Sequence, residues 1–142
     1  MKENLNSRVS MIVNVPAAKV WDALTNPKII KEYMFGTDVV ATWKVGEPIL
    51  WKGMWKDKPY EDRGVVIKIV ENQTLQFTYF SALSGQADVP ENYHTLTYRL
   101  QEDGTKTLVT LTQDNNATED DQQHAQQMWE NMFATFKKVV EK

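Results

Sequence analysis

The sequence contains no cysteine and only two histidines, His94 and His124. Without thiols there is no disulfide frame, thiol nucleophile, Cys-ligated zinc or iron–sulfur cluster. Two histidines leave almost no room for a multi-histidine metal site, and no spaced Asp/Asn loop ending in Glu suggests calcium. Glycine and proline are sparse, six and five in 142 residues. They form neither a phosphate-cradling loop nor a Pro/Gly/Ser linker, so residues 1–142 read as a single domain. No apolar run approaches the roughly 18 residues that span a bilayer, and the opening MKENLNSRVS lacks the apolar stretch of a signal peptide. Basic residues are outnumbered, with 16 Lys and Arg against 19 Asp and Glu and a net charge of −3. A surface dominated by phosphate contacts is therefore not expected. These absences together suggest a cytoplasmic, cofactor-free domain with no metal, no nucleic-acid partner and no membrane insertion.

What is present is apolar surface in regular patterns: 42% of residues are apolar and 25% charged, enough for one core. Ala125, Met128, Trp129, Met132, Phe133, Phe136, Val139 and Val140 recur at helical spacing, predicting a helix over about 118–141. Thr118 suits its N-cap, and Glu119, Asp120 and Asp121 suit the positive end of its dipole. At 1.5 Å per residue it would be roughly 36 Å long, enough to lie across a whole sheet. At the other end of the chain, 8–15 alternates as a half-buried strand. Pro16 suits a first helical turn, and Asn26-Pro27 ends that helix and starts a second short one with Ile29, Ile30, Tyr33 and Met34 on its apolar side. Between these ends, strands are predicted over 37–43, 48–56, 60–71, 74–80, 93–101 and 105–114. Connections fall at Gly46-Glu47 and Asn72-Gln73, with a tight hairpin at Asp103-Gly104. Short connections imply antiparallel neighbours. The fold class is α+β: a curved seven-stranded antiparallel sheet around a long C-terminal helix, with two short helices after the first strand.

Strand parity assigns the inner face. Val65, Ile67 and Ile69 are expected to share it, as are Leu75, Phe77 and Tyr79, then His94, Leu96, Tyr98 and Leu100, then Val109 and Leu111. In the third strand Trp51, Gly53 and Trp55 fall on one side, with Lys52, Met54 and Lys56 on the other. Two rings flanking a glycine leave a notch unless another group fills it; the glycine could equally mark a bulge or close backbone approach beside ordinary core rings. Alternation separates Trp51 from Lys52, so the Trp-Lys dipeptides do not form a stacking platform for nucleic acid. Glu61-Asp62-Arg63 reads as a charged turn before a bulge at Gly64. The segment 81–92 is longer than a usual hairpin loop, and reads either as a lid over a pocket or as a loose connection. No nucleophile–base pair or paired carboxylates support a particular reaction.

The opening VNVPAAKVWDALTNPKIIKEY, then WKVGEPILW, RGVVIKIVENQTLQFTY, YHTLTYRLQEDGTKTLVTLTQ and MWENMFATFKKVVEK, follow one another in a familiar order. Over about 8–142 the chain resembles START-like (helix-grip, SRPBCC) domains of the activator of heat-shock protein 90 ATPase homologue family. That resemblance implies an elongated apolar cavity between the sheet and the long helix. Carried over by position, it implies Trp51, Trp55, Tyr79, His94, Tyr98, Trp129, Met132 and Phe136 as lining residues. Tyr33 and the 81–92 loop would stand near the mouth. The expectation is a non-enzymatic binding protein for a small hydrophobic ligand, aromatic, polyketide-like or lipid-like, oriented by His94, Tyr98 and Tyr79. The alternatives are a chaperone-regulating or stress-response module with a protein partner, and a cyclase or aromatase type of enzyme.

Overall fold

The computed structural model describes residues 5–82, 85–116 and 118–142, and at Trp55 the backbone alone. The chain runs β1 (Leu5–Val13), α1 (Ala17–Thr25), α2 (Pro27–Tyr33), β2 (Asp38–Ala41), β3 (Pro48–Trp55) and β4 (Lys58–Val70), then β5 (Thr74–Tyr79), a 3-10 turn (Pro90–Asn92), β6 (His94–Asp103), β7 (Lys106–Asn116) and α3 (Glu119–Val140). The strands form one seven-stranded sheet in the order β1-β7-β6-β5-β4-β3-β2. Every neighbouring pair is antiparallel. This is the α+β helix-grip architecture expected from the sequence.

Local chemistry accounts for the element ends. Asn26 caps α2, its side chain accepting from the Lys28 N–H at 3.1 Å, with Pro27 in the first turn where no N–H is needed. Thr118 caps α3 by accepting from the Asp121 N–H at 3.1 Å. The β6–β7 hairpin turns through Gly104-Thr105, one residue later than expected, with Asp103 paired to Lys106 and Gly104 at φ +66°. β2 stops short of the expected 43 because Trp43 takes φ +57° and gives its Nε1–H to the Thr25 carbonyl at 2.7 Å. That bond fastens the chain to the end of α1.

The greatest departure from expectation lies in β4. Lys56 and Asp57 both have positive φ, +48° and +65°, and Trp55 pairs with Lys58. This is the two-residue hairpin geometry whose twist matches the strands it joins. β4 therefore starts at Lys58, and Glu61-Asp62-Arg63 is strand rather than turn. Parity follows: Asp62, Gly64 and Val66 are buried, whereas Val65 and Ile67 face out, 40% and 41% exposed. A register shift between Val66 and Lys68 then resets the alternation, so that Ile69 packs against the core. The expected inward row of Val65, Ile67 and Ile69 is thus corrected to Asp62, Gly64, Val66 and Ile69.

The core lies between the sheet and α3. From α3 it takes Ala125, Trp129, Met132, Phe133, Phe136 and Val140, while Met128, expected in the apolar stripe, is 43% exposed. α3 also closes the β1 edge of the sheet. Gln122 Nε2 donates to the Asn6 carbonyl at 2.6 Å, and Gln126 Oε1 accepts from the Arg8 N–H at 3.0 Å. Lys137 Nζ donates to the Ile12 carbonyl at 2.9 Å, and Glu141 Oε2 accepts from the Asn14 N–H at 2.8 Å. These bonds occupy edge groups that would otherwise template another strand.

Two glycines are set by close approach. A Cβ on Gly53 would stand 2.5 Å from the Tyr60 hydroxyl, because the Tyr60 ring on the paired strand fills the notch beside Trp51. A Cβ on Gly64 would stand 1.8 Å from the Thr78 backbone carbonyl. Tyr60 can swing away, whereas the Thr78 carbonyl belongs to the sheet. Gly64→Ala is therefore expected to lower stability by about 1–3 kcal/mol or more, read as a reduced urea midpoint. An unchanged midpoint would show that β5 yields freely at this point.

Candidate functional site

The inner face of β3, β5 and β6 presents a connected set of rings. Trp51 stands 5.5 Å from Phe77 and 5.1 Å, edge-on, from Tyr79, and Phe77 stands 6.3 Å from Tyr98. Strand pairing sets this row, with Leu75 opposite Tyr98, Phe77 opposite Leu96 and Tyr79 opposite His94. On the helical side, Tyr33 meets Phe136 edge to face at 4.9 Å, and Phe136 lies 6.0 Å from Phe133. Met132 and Phe136 are both buried. Of the expected lining residues, Trp51, Tyr79 and Tyr98 are thus brought together through Phe77, and Tyr33 is brought against Phe136. The side chain of Trp55 lies outside the described residues.

Besides Tyr79, which bonds Asp62, three of the expected residues already have a polar atom engaged. Trp129 donates its Nε1–H to Gln113 Oε1 at 2.8 Å. Gln113 in turn bonds Asn116, and Asn116 bonds Ser7, so this tryptophan belongs to a network pinning α3 to β1 and β7. His94 is half-buried at the start of β6, with Nδ1 2.9 Å from the Asp114 carbonyl. Tyr33, expected near a mouth, is only 2% exposed and donates its hydroxyl to the Ala23 carbonyl at 2.8 Å.

Two polar groups on the inner face differ from these. The Tyr98 hydroxyl and the Trp51 indole N–H have no hydrogen-bond partner among the described residues, although the two residues are only 7% and 5% exposed. No side-chain polar atom among the described residues is both sealed off and unpartnered. Both groups therefore keep contact with space that a water can enter. They lie on either side of Phe77, one on β3 and one on β6.

Asp62 was not singled out by the sequence as part of this face, because Glu61-Asp62-Arg63 looked like a turn. It is buried opposite Trp51. Its Oδ2 accepts from the Tyr79 hydroxyl at 2.5 Å and its Oδ1 from the Ala82 N–H at 2.8 Å. One carboxylate thus orients the Tyr79 ring and anchors the root of the loop after β5. The inward alternation of Tyr60, Asp62 and Gly64 against Gly53, Trp51 and Ile49 was the available signal. The described part of that loop is held further out by Asp88, which accepts from the Tyr93 hydroxyl at 2.6 Å and pairs with Arg63 at 3.4 Å. Phe80 stacks on Tyr93 at 5.2 Å.

Among the described residues no three His, Asp or Glu side chains converge as metal ligands would. A hollow of about 300 Å³ lies on the opposite face of the sheet, lined by Ile12, Gln101, Glu102, Asp103, Lys106 and Leu108. None of the expected lining residues borders it.

Burial favours the neutral phenol, so the hydroxyls of Tyr33, Tyr79 and Tyr98 are pushed well above their ordinary value; at Tyr79 the Asp62 carboxylate adds to the effect. Below the ordinary value of 10.0 both folded and unfolded chains hold these protons. Above it the unfolded chain ionises first, so stability falls as pH rises toward the folded-state values. Alkaline titration followed by phenolate absorbance should show three tyrosines ionising only as the chain unfolds. Their smooth titration in the folded protein would contradict the burial described.

Comparison with known proteins places this geometry. The family model described as activator of Hsp90 ATPase homolog 1-like protein matches residues 14–141. The solution structure of ChR145 from Cytophaga hutchinsonii is 48% identical, covers 99% of this chain and 97% of its own, and superposes with a TM-score of 0.87. The Aha1 dimer from Colwellia psychrerythraea is 20% identical, with 96% of each chain covered and a TM-score of 0.76. DynU16, a putative protein in the dynemicin biosynthetic locus, is 15% identical over 97% of this chain and 48% of its own, with a TM-score of 0.80. At these lower identities the likeness is one of fold. No curated protein matches the sequence. No helix among the described residues is long and apolar enough to cross a membrane.

Proposed function

Since the chain belongs to the activator of Hsp90 ATPase homolog 1-like family, whose fold sets a sheet against a long helix, we propose that it binds a small, largely apolar ligand between the two, without chemical turnover. The observation that carries this reading is the pair of open polar groups on an otherwise apolar face, Trp51 Nε1–H and Tyr98 Oη. A sealed core would have bonded them, as it bonds Trp129 and Tyr33. An apolar ring against Phe77 would gain about 25 cal/mol per Å² of surface removed from water, before ordering costs. An oxygen at its rim would accept from the indole, and a second would bond the phenol. Tyr79 and His94 are fixed by Asp62 and by the Asp114 carbonyl, and serve as walls rather than donors. Met132 gives the helical wall a side chain that adapts to different shapes.

The test is a titration with planar oxygenated aromatics and with fatty acids, followed by backbone and indole amide shifts. Binding should move the Trp51 indole signal and amides flanking Phe77 and Tyr98. Tyr98→Phe and Trp51→Phe should each weaken affinity roughly two- to tenfold, the worth of one hydrogen bond, while the fold is retained. Shifts confined to surface loops, or affinities indifferent to both substitutions, would overturn the proposal.

A further inference from the structure

His94 carries a third open polar atom beside the two donors. A carbonyl oxygen can only accept, so the 2.9 Å contact between Nδ1 and the Asp114 carbonyl puts the proton of the neutral imidazole on Nδ1. Nε2 then holds a lone pair and no hydrogen. It has no hydrogen-bond partner among the described residues and is not sealed off. The two nitrogens project from opposite sides of the ring. Nε2 therefore points away from β7, to the side of β6 on which Tyr79 is paired with His94.

The backbone around this ring is tied down. Between its pairs Ser7–Gln113 and Leu5–Asn116, β7 carries one residue more than β1, a bulge that contains Asp114 and Asn115. The Asp114 carboxylate accepts from the Thr95 N–H, and Asn115 Nδ2 donates to the Tyr93 carbonyl at 3.0 Å. The residues on both sides of His94 are thus fixed to the strand that orients its ring. The three open atoms differ in kind: the indole only donates, the phenol does either, and the imidazole nitrogen only accepts. A molecule that satisfies all three must bring a donor of its own.

On the reading that a ligand occupies this face, we propose that His94 Nε2 accepts a hydrogen bond from a ligand hydroxyl, which makes the ligands planar aromatics bearing a phenolic or enolic O–H. The hydroxyl lies at the start of β6. The apolar body runs along the strand toward Phe77 and Tyr98, the latter four residues or about 13 Å further on.

Two measurements test this separately from ligand binding as such. Nitrogen-15 shifts of the neutral His94 ring in the unliganded protein should place its proton on Nδ1. A proton on Nε2 overturns the proposal, whatever binds. Titration with flavone and with 7-hydroxyflavone, followed at the Trp51 indole signal, should give the hydroxylated compound a dissociation constant roughly two- to tenfold lower. His94→Asn keeps a donor for the Asp114 carbonyl and removes the acceptor beyond it, so 7-hydroxyflavone should fall to the level of flavone. Equal affinities in the unaltered protein, or a preference that survives His94→Asn, overturn the proposal and leave ligand binding standing. Flavones that leave the Trp51 signal unmoved would remove ligand binding itself, and this proposal with it.

Discussion

The inner face depends on a side chain that is not there. At Gly64 the Thr78 carbonyl comes so near that no Cβ could be placed, and on the same spot the Trp51 ring passes with its Cη2 3.4 Å from where that Cβ would be. Any larger residue would push β5, which carries Phe77 and Tyr79, away from β4 and from the indole. The indole would then lose both Phe77 and Tyr79, and the row of rings leading to Tyr98 would be broken. Gly53 repeats the device with a different outcome, since its empty position is filled from the paired strand by Tyr60. One glycine admits backbone, the other admits a ring, and between them they decide how Trp51 lies.

Polar chemistry inside the fold is divided with the same economy. Gln113 and Asn116 take up the Trp129 indole, and through Ser7 they fix α3 to β1. Asp62 takes up the Tyr79 hydroxyl and the Ala82 amide. Both networks are complete, as buried polar groups must be if they are not to cost stability. Against that background two donors without acceptors among the described residues, on opposite sides of one phenylalanine, set this face apart from the rest of the core. The helix side is filled where Tyr33 and Phe136 interlock, so a ligand bound as proposed would sit toward β3 and β6.

Much of the fold was legible because it rests on periodicity. The apolar stripe of α3, the caps at Asn26 and Thr118, and the alternation of β6 and β7 are each dictated by side chains a few residues apart. β4 was not legible for the complementary reason. Its start depends on Lys56 and Asp57 adopting positive φ, which neither residue advertises, and its parity depends on a bulge near Ile67 that only pairing with β5 imposes. Read as a charged turn, Glu61-Asp62-Arg63 hides Asp62 from the inner face, and unbroken alternation back from Ile69 turns Val66 outward. The site suffered in the same way: sequence could put Trp51, Tyr79 and Tyr98 on one face, but which of their polar atoms find partners is decided by residues far apart in the chain.

Ligand binding as proposed requires that the interior beside Trp51 be open, and contact between the indole protons and water reports that directly. In a water-selective magnetisation-transfer experiment on the unliganded protein, the Trp51 Nε1–H should show a cross-peak to water, while the Trp129 Nε1–H, bonded to Gln113, should not. Equal silence from both indoles would mean that the space beside Trp51 is shut, and the case for a ligand there would fall.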